Sequence, residues 1–119
     1  MKKILIIFMF TLLFNACEKN TIDVDTDPKN NVITTSSMIF IPSSIICSVG
    51  DTIYFELGPT HNAVEVSESE YNNSGGAPLE NGFNIGFGEA AYIIATEEKT
   101  YYYVCQPHLP QMKGMIIVN

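Results

Sequence analysis

A period of two governs this chain from Ile39 onward, and it limits the chain to short strands. Thr52 to Leu57 shows the pattern most plainly. Ile53, Phe55 and Leu57 share one face; Thr52, Tyr54 and Glu56 share the other. Asn62 to Val66 alternates again, with Val64 and Val66 inward. Ile39 to Val49 is rich in β-branched residues, and Pro42 near its start suits a strand entry or an edge. Phe83 to Gly88, Ala91 to Ala95, Thr100 to Cys105 and Gly114 to Val118 read as further short strands. Gly50-Asp51, Gly58-Pro59 and Glu97-Glu98 mark the turns between them. The polar stretch Ser67 to Asn81 reads as a long surface loop with room for one helical turn. No segment sustains a helical period. Short strands at this spacing predict an all-β sandwich or barrel. Within it, Tyr101 and Tyr103 share parity with Cys105 and are expected to point inward. Cys47, in Ile45-x-Cys47-x-Val49, is expected to fill a core position in place of a β-branched residue. Glu65, Glu68 and Glu70 are expected to form a solvated acidic face.

The N-terminal end has a different grammar. Lys2 and Lys3 precede an apolar run from Ile4 to Phe14, and Ala16 stands just before Cys17. That order is a secretory signal, and the run is too short to span a bilayer. Ending at a Cys resembles a bacterial lipoprotein signal, which implies that Cys17 becomes the lipidated first residue. Residues 1–16 are therefore expected to be a signal peptide, 17–37 a flexible tether and 38–119 the folded domain. This places the protein at the cell envelope of a bacterium, exported and held to the membrane through its lipid alone. Beyond residue 16, four lysines face thirteen carboxylates with no arginine, a formal charge of −9. Such a surface does not bind nucleic acid or anionic lipid by charge, and it would attract a basic protein.

The chemistry concentrates near the C-terminal end. The chain has two histidines, His61 and His108. Cys105 ends a strand, His108 follows three residues later and Met112 four after that. One loop thus offers a thiol, an imidazole and a thioether, and His61 adds a second imidazole from a distant segment. Thiolate and thioether are soft donors that favour Cu(I), and imidazole serves both copper states. Two His and one Cys with a long axial Met is an arrangement for one-electron copper sites. Structural zinc usually takes four strong N or S ligands, and catalytic zinc keeps a position open for water that Met112 would crowd. Two plainer roles stay open: Met112 as core packing, and Cys105 paired with Cys47 in a disulfide.

The segment Cys-Gln-Pro-His-Leu-Pro-Gln-Met-Lys-Gly from Cys105 resembles the copper loop of plastocyanins and azurins, the cupredoxins. Its Cys-x-Pro-His start is plastocyanin-like, while the three-residue gap between His108 and Met112 resembles azurin. His61-Asn62-Ala63-Val64 is similar to the segment that supplies the first His ligand. Phe40-x-Pro42 and Val49-Gly50-Asp51-Thr52 resemble the opening strands. The resemblance covers residues 38–119. It implies a Greek-key β-sandwich of seven or eight strands holding one Cu(I)/Cu(II) ion. Its ligands would be His61, Cys105, His108 and Met112. It further implies that the backbone N–H of Asn62 donates to the Cys105 sulfur. Pro107, Leu109 and Pro110 would shield His108 and form the apolar patch where electrons enter and leave. The implied function is a type 1 (blue) copper protein, a monomer and not an enzyme. It would pass single electrons between redox proteins, with a basic cytochrome or a copper enzyme as candidate partners. A copper carrier or buffer is the competing function. A copper enzyme would need a second centre built from further histidines.

Overall fold

The computed structural model describes residues 31–119. The expected signal peptide, Cys17 and most of the expected tether lie outside the described residues. Nine strands form two sheets: β1 Val32–Ser36, β2 Ile39–Ile41, β3 Ser44–Cys47, β4 Thr52–Glu56, β5 Ala63–Val66, β6 Asn84–Ile85, β7 Ala90–Ile94, β8 Thr100–Val104 and β9 Lys113–Val118. One sheet has the order β2-β1-β4-β7; the other has β3-β9-β8-β5-β6. A single helical turn, α1, spans Glu68–Asn72 in the long loop and is capped by the Ser67 hydroxyl. Among the described residues no helix is long and apolar enough to cross a membrane.

The alternation does the folding work. Ile53, Phe55 and Leu57 are buried between the sheets, while Tyr54 and Glu56 face solvent. Ile116 and Val118 do the same on β9, as do Tyr101 and Tyr103 on β8. Phe40, Phe55 and Phe83 surround the Tyr103 ring, with centroid separations of 4.8, 5.5 and 5.9 Å. Cys47 and Cys105 are both free and buried, which sets aside a disulfide between them.

Three expectations need correction. The folded domain does not begin at residue 38, because Val32–Ser36 is β1, paired with β2 on one side and β4 on the other. A single large apolar side chain, the fully buried Ile33, anchors it. The tether therefore cannot reach residue 37. Second, Ile39 to Val49 is not one strand. It breaks at Pro42-Ser43, so that β2 pairs with β1 and β3 with β9 in the opposite sheet. Third, Glu65 is not on a solvated face. It is 4% exposed, its carboxylate accepts from the Phe83 N–H at 3.0 Å, and Lys99 lies 3.5 Å away.

The sandwich has two poles. Strand β4 runs toward the turn that carries His61, and β8 runs in the same direction to Cys105. The opposite pole collects Asp51, Glu97, Glu98 and Asn119, tied by Gly50 N–H to Ala95 O at 2.7 Å and Asn119 N–H to Cys47 O at 2.9 Å.

Candidate metal centre

His61 sits in the turn between β4 and β5. Its N–H donates to Gly58 O at 3.0 Å, and its carbonyl accepts from Gly88 N–H at 3.2 Å. The Gly58 N–H in turn donates to the Thr35 hydroxyl at 2.8 Å, so β1 helps to hold the turn. A Cβ on Gly58 would come within 3.3 Å of the His61 ring, which is why a residue without one suits this place.

Cys105 follows β8 directly and is fully buried. The next three residues, Gln106–His108, make one 3-10 turn with Pro107 inside it. Pro suits a first turn because its missing N–H would have had no partner there. His108 O accepts from the N–H groups of Gln111 and Met112, both at 3.0 Å, and Cys105 N–H donates to Met112 O at 3.0 Å. The loop is thereby closed on itself, with the Met112 side chain fully buried beneath it.

These two segments bring three donors to one point. His61 Nδ1 and His108 Nδ1 are 3.1 Å apart, and Cys105 Sγ lies 3.4 Å from His108 Nδ1 and 3.8 Å from His61 Nδ1. A point equidistant from the three lies about 2 Å from each, close to ordinary metal–nitrogen and metal–sulfur bond lengths. The donor set and its spacing therefore fit one soft-to-borderline ion. Burial lowers the affinity of His61 for a proton, and the neighbouring His108 lowers it further. The neutral imidazole so favoured is the form that binds a metal.

Asn62 and Gln106 form a clamp that the sequence did not signal. The side-chain Oδ1 of Asn62 accepts from the Gln106 backbone N–H at 3.0 Å, and its Nδ2 donates to Gln106 Oε1 at 3.1 Å. Gln106 Nε2 then donates to Gly76 O at 2.8 Å. At the other end of the loop, the Lys113 ammonium donates to Tyr71 O at 2.8 Å. The loop around α1 is thus stitched to both ends of the Cys105–Met112 segment. Gln106 stands between two donors, Cys105 and His108, and nothing in its spacing marks it. Pro107 and Pro110 are exposed, while His108 and Leu109 are half-buried beside them.

Comparison with known proteins agrees with this geometry. The family model described as copper binding proteins, plastocyanin/azurin family, matches residues 26–119. Plastocyanin A/B of Petroselinum crispum is 31% identical over 98 residues, which cover 69% of this chain and 89% of that protein. Amicyanin from Paracoccus versutus superposes with a TM-score of 0.56 at 26% identity, covering 82% of this chain and 86% of that one. Pseudoazurin from Hyphomicrobium denitrificans has the same fold, with a TM-score of 0.56 at 24% identity over 75% of this chain and 74% of that one. With such relatives and this donor set at one pole of its sandwich, the chain belongs to the plastocyanin/azurin family of copper-binding proteins, with a single copper ion as its cofactor.

Proposed function

We propose that this protein carries single electrons between redox protein partners at a bacterial cell envelope, anchored there by lipid on Cys17. The observation that carries the electron-transfer reading is the convergence of two imidazole nitrogens and one cysteine sulfur within 3.8 Å of one another. When bound, copper supplies a one-electron Cu(I)/Cu(II) couple.

The protein's part is to hold still and stay dry. His61, Cys105 and Met112 are all but closed to solvent, and His108 alone among the expected ligands is half-exposed. Each donor is fixed by backbone hydrogen bonds to a strand end or to a closed loop, so little can move when charge changes. Met112, buried beneath the loop, would supply a weak thioether donor to the ion. We assign Asn62 a positioning role through its side chain, whose clamp on Gln106 braces the residue next to Cys105, in place of the N–H-to-sulfur contact that the resemblance implies. The exposed edge of His108, framed by Pro107, Leu109 and Pro110, is the surface a partner would touch. The acidic character of the chain favours a basic partner such as a cytochrome, and a copper enzyme is the other candidate.

The competing role, a copper carrier or buffer, would need the metal to leave readily. Three buried ligands on two interlocked segments favour retention instead. An enzyme of this fold would need another copper centre, and both histidines of the chain belong to this one.

The test is direct. Cu(II) added to the purified protein should give an intense visible thiolate-to-copper band, and Cys105→Ser should abolish it. A wild-type protein that binds copper yet stays colourless would overturn the reading.

A further inference from the structure

The outer face of the four-stranded sheet is strangely apolar for so acidic a chain. Across β2, β1, β4 and β7, side chains that alternate with the core point outward. Tyr92 is 64% exposed, Ile39 53% and Ile94 51%. Ile41 and Tyr54 are also exposed, and Val32 is half-buried beside Tyr54. Register places Val32, Tyr54 and Tyr92 in one row across three strands, and the two tyrosine rings sit 6.2 Å apart. Glu56 is the one charged side chain that these four strands turn outward, and it lies at the copper end of β4.

Thr34, Ser36, Thr52 and Glu56 share this face at its margins, and the apolar side chains centred on the Val32–Tyr54–Tyr92 row form the patch that marks a contact surface. Its occupant follows from where the chain enters the fold. The described residues begin at Asn31, next to Val32 in that row. Between Cys17 and Asn31 lie only residues 18–30. A lipid on Cys17 would therefore join the fold at Asn31, on this sheet and at the end of β1 that lies away from the copper pole, so the point of attachment favours this face.

Two postures are open to a domain held this way. Standing on end would press the far pole against the headgroups, and that pole carries Asp51, Glu97 and Glu98. Lying on its side would cover the tyrosine and isoleucine face, whose rings and hydroxyls suit a membrane interface. We propose that the outer face of β2-β1-β4-β7 rests on the uncharged lipid surface. The domain then lies side-on, with His108 facing parallel to the membrane plane. The proposal rests on the lipid anchor at Cys17 and adds the orientation that the anchor alone does not set.

The chain contains no tryptophan, so a single one reports its own position. Tyr92→Trp places a reporter on the proposed face. Ile46→Trp, at a position 68% exposed on β3 of the other sheet, is the control. The full mature chain, copper-loaded and reduced, is placed on phosphatidylcholine vesicles with brominated acyl chains. Its mass establishes whether Cys17 is lipidated, and its visible band after reoxidation establishes that the site is intact. The proposal expects bromine quenching of the tryptophan at position 92 and little at position 46. Equal quenching at both, or none at either, in a lipidated chain overturns the orientation and leaves the anchor standing. A chain without lipid overturns both. A soluble Cys17→Ser form that sediments as a dimer, and returns to monomer with Tyr92→Lys, assigns the face to a second copy instead and overturns the proposal.

Discussion

Tyr103→Phe should make this protein more stable. The Tyr103 ring stands at the centre of the aromatic core with none of its surface exposed. Its hydroxyl is buried without a hydrogen-bond partner. It is pressed toward Gly114, where an added Cβ would fall 2.4 Å from the hydroxyl oxygen. A buried polar group left unpaired costs about 1–3 kcal/mol. Removing one oxygen leaves a void smaller than a methyl group, which takes back up to ~1 kcal/mol. The net gain should be about 1 kcal/mol, or roughly 4–8 °C in Tm for a domain of this size. Urea unfolding of the copper-free protein is the assay, because metal binding would add its own stabilisation. The midpoint should rise with an unchanged slope. A second arm uses pH. Burial, and then Tyr71, push the Tyr103 hydroxyl well above its ordinary value. The unfolded chain ionises first, near pH 10, so the wild type loses stability as pH rises through and beyond that point. Below pH 10 this contribution is fully present. Tyr103→Phe should lose less on the alkaline side, while Tyr71, raised in the same direction by burial and Tyr102, keeps its share. Equal or lower stability for Phe at neutral pH would show that the hydroxyl has a partner, such as an ordered water, and would refute the reasoning.

The Met112 series separates an axial ligand from a packing residue. Leu should raise the reduction potential and Gln should lower it, with all three forms coloured; voltammetry can resolve this, since about 59 mV is a tenfold change in a one-electron equilibrium. Equal potentials for Met and Leu would strike Met112 from the ligand set. Cys17→Ser should move the protein from the membrane fraction to the soluble fraction with its visible band unchanged, as fractionation and absorbance would show. Glu65→Ala should cost about 1–3 kcal/mol by stranding the Phe83 N–H, and Glu65→Gln should recover most of that because its amide oxygen can still accept; denaturant midpoints of the two variants check both halves.

What could be foreseen from residues alone followed how far each side chain acts. Strand β4 was plain because Ile53, Phe55 and Leu57 alternate without interruption. Three of the four metal-site candidates stand out because thiol, imidazole and thioether sit close together in a short segment, and His61 because it is the chain's one other histidine. Strand β1 was not visible. Its sequence Val-Ile-Thr-Thr-Ser offers one inward residue, Ile33, and its place between β2 and β4 is decided by those partners. Glu65 misled for a related reason: a carboxylate reads as solvated until Phe83 and Lys99, both far along the chain, are known to face it. The change of sheet at Pro42-Ser43 likewise depends on β9, which pairs with β3 in parallel. The Asn62–Gln106 clamp joins residues 44 apart and has no local signature.

That separation has a consequence for how the protein matures. Cys105, His108 and Met112 lie within eight residues of one another in any state of the chain, so even an unfolded molecule would offer Cu(I) a soft-donor segment. His61 joins them only after β5 and β8 have paired, Val64 against Val104, and after the clamp has closed. The proposed thiolate-to-copper band would therefore be an optical record of one long-range event. A chain loaded before that pairing would hold metal and remain pale, and the growth of the band during refolding would time the meeting of two strands that begin as strangers.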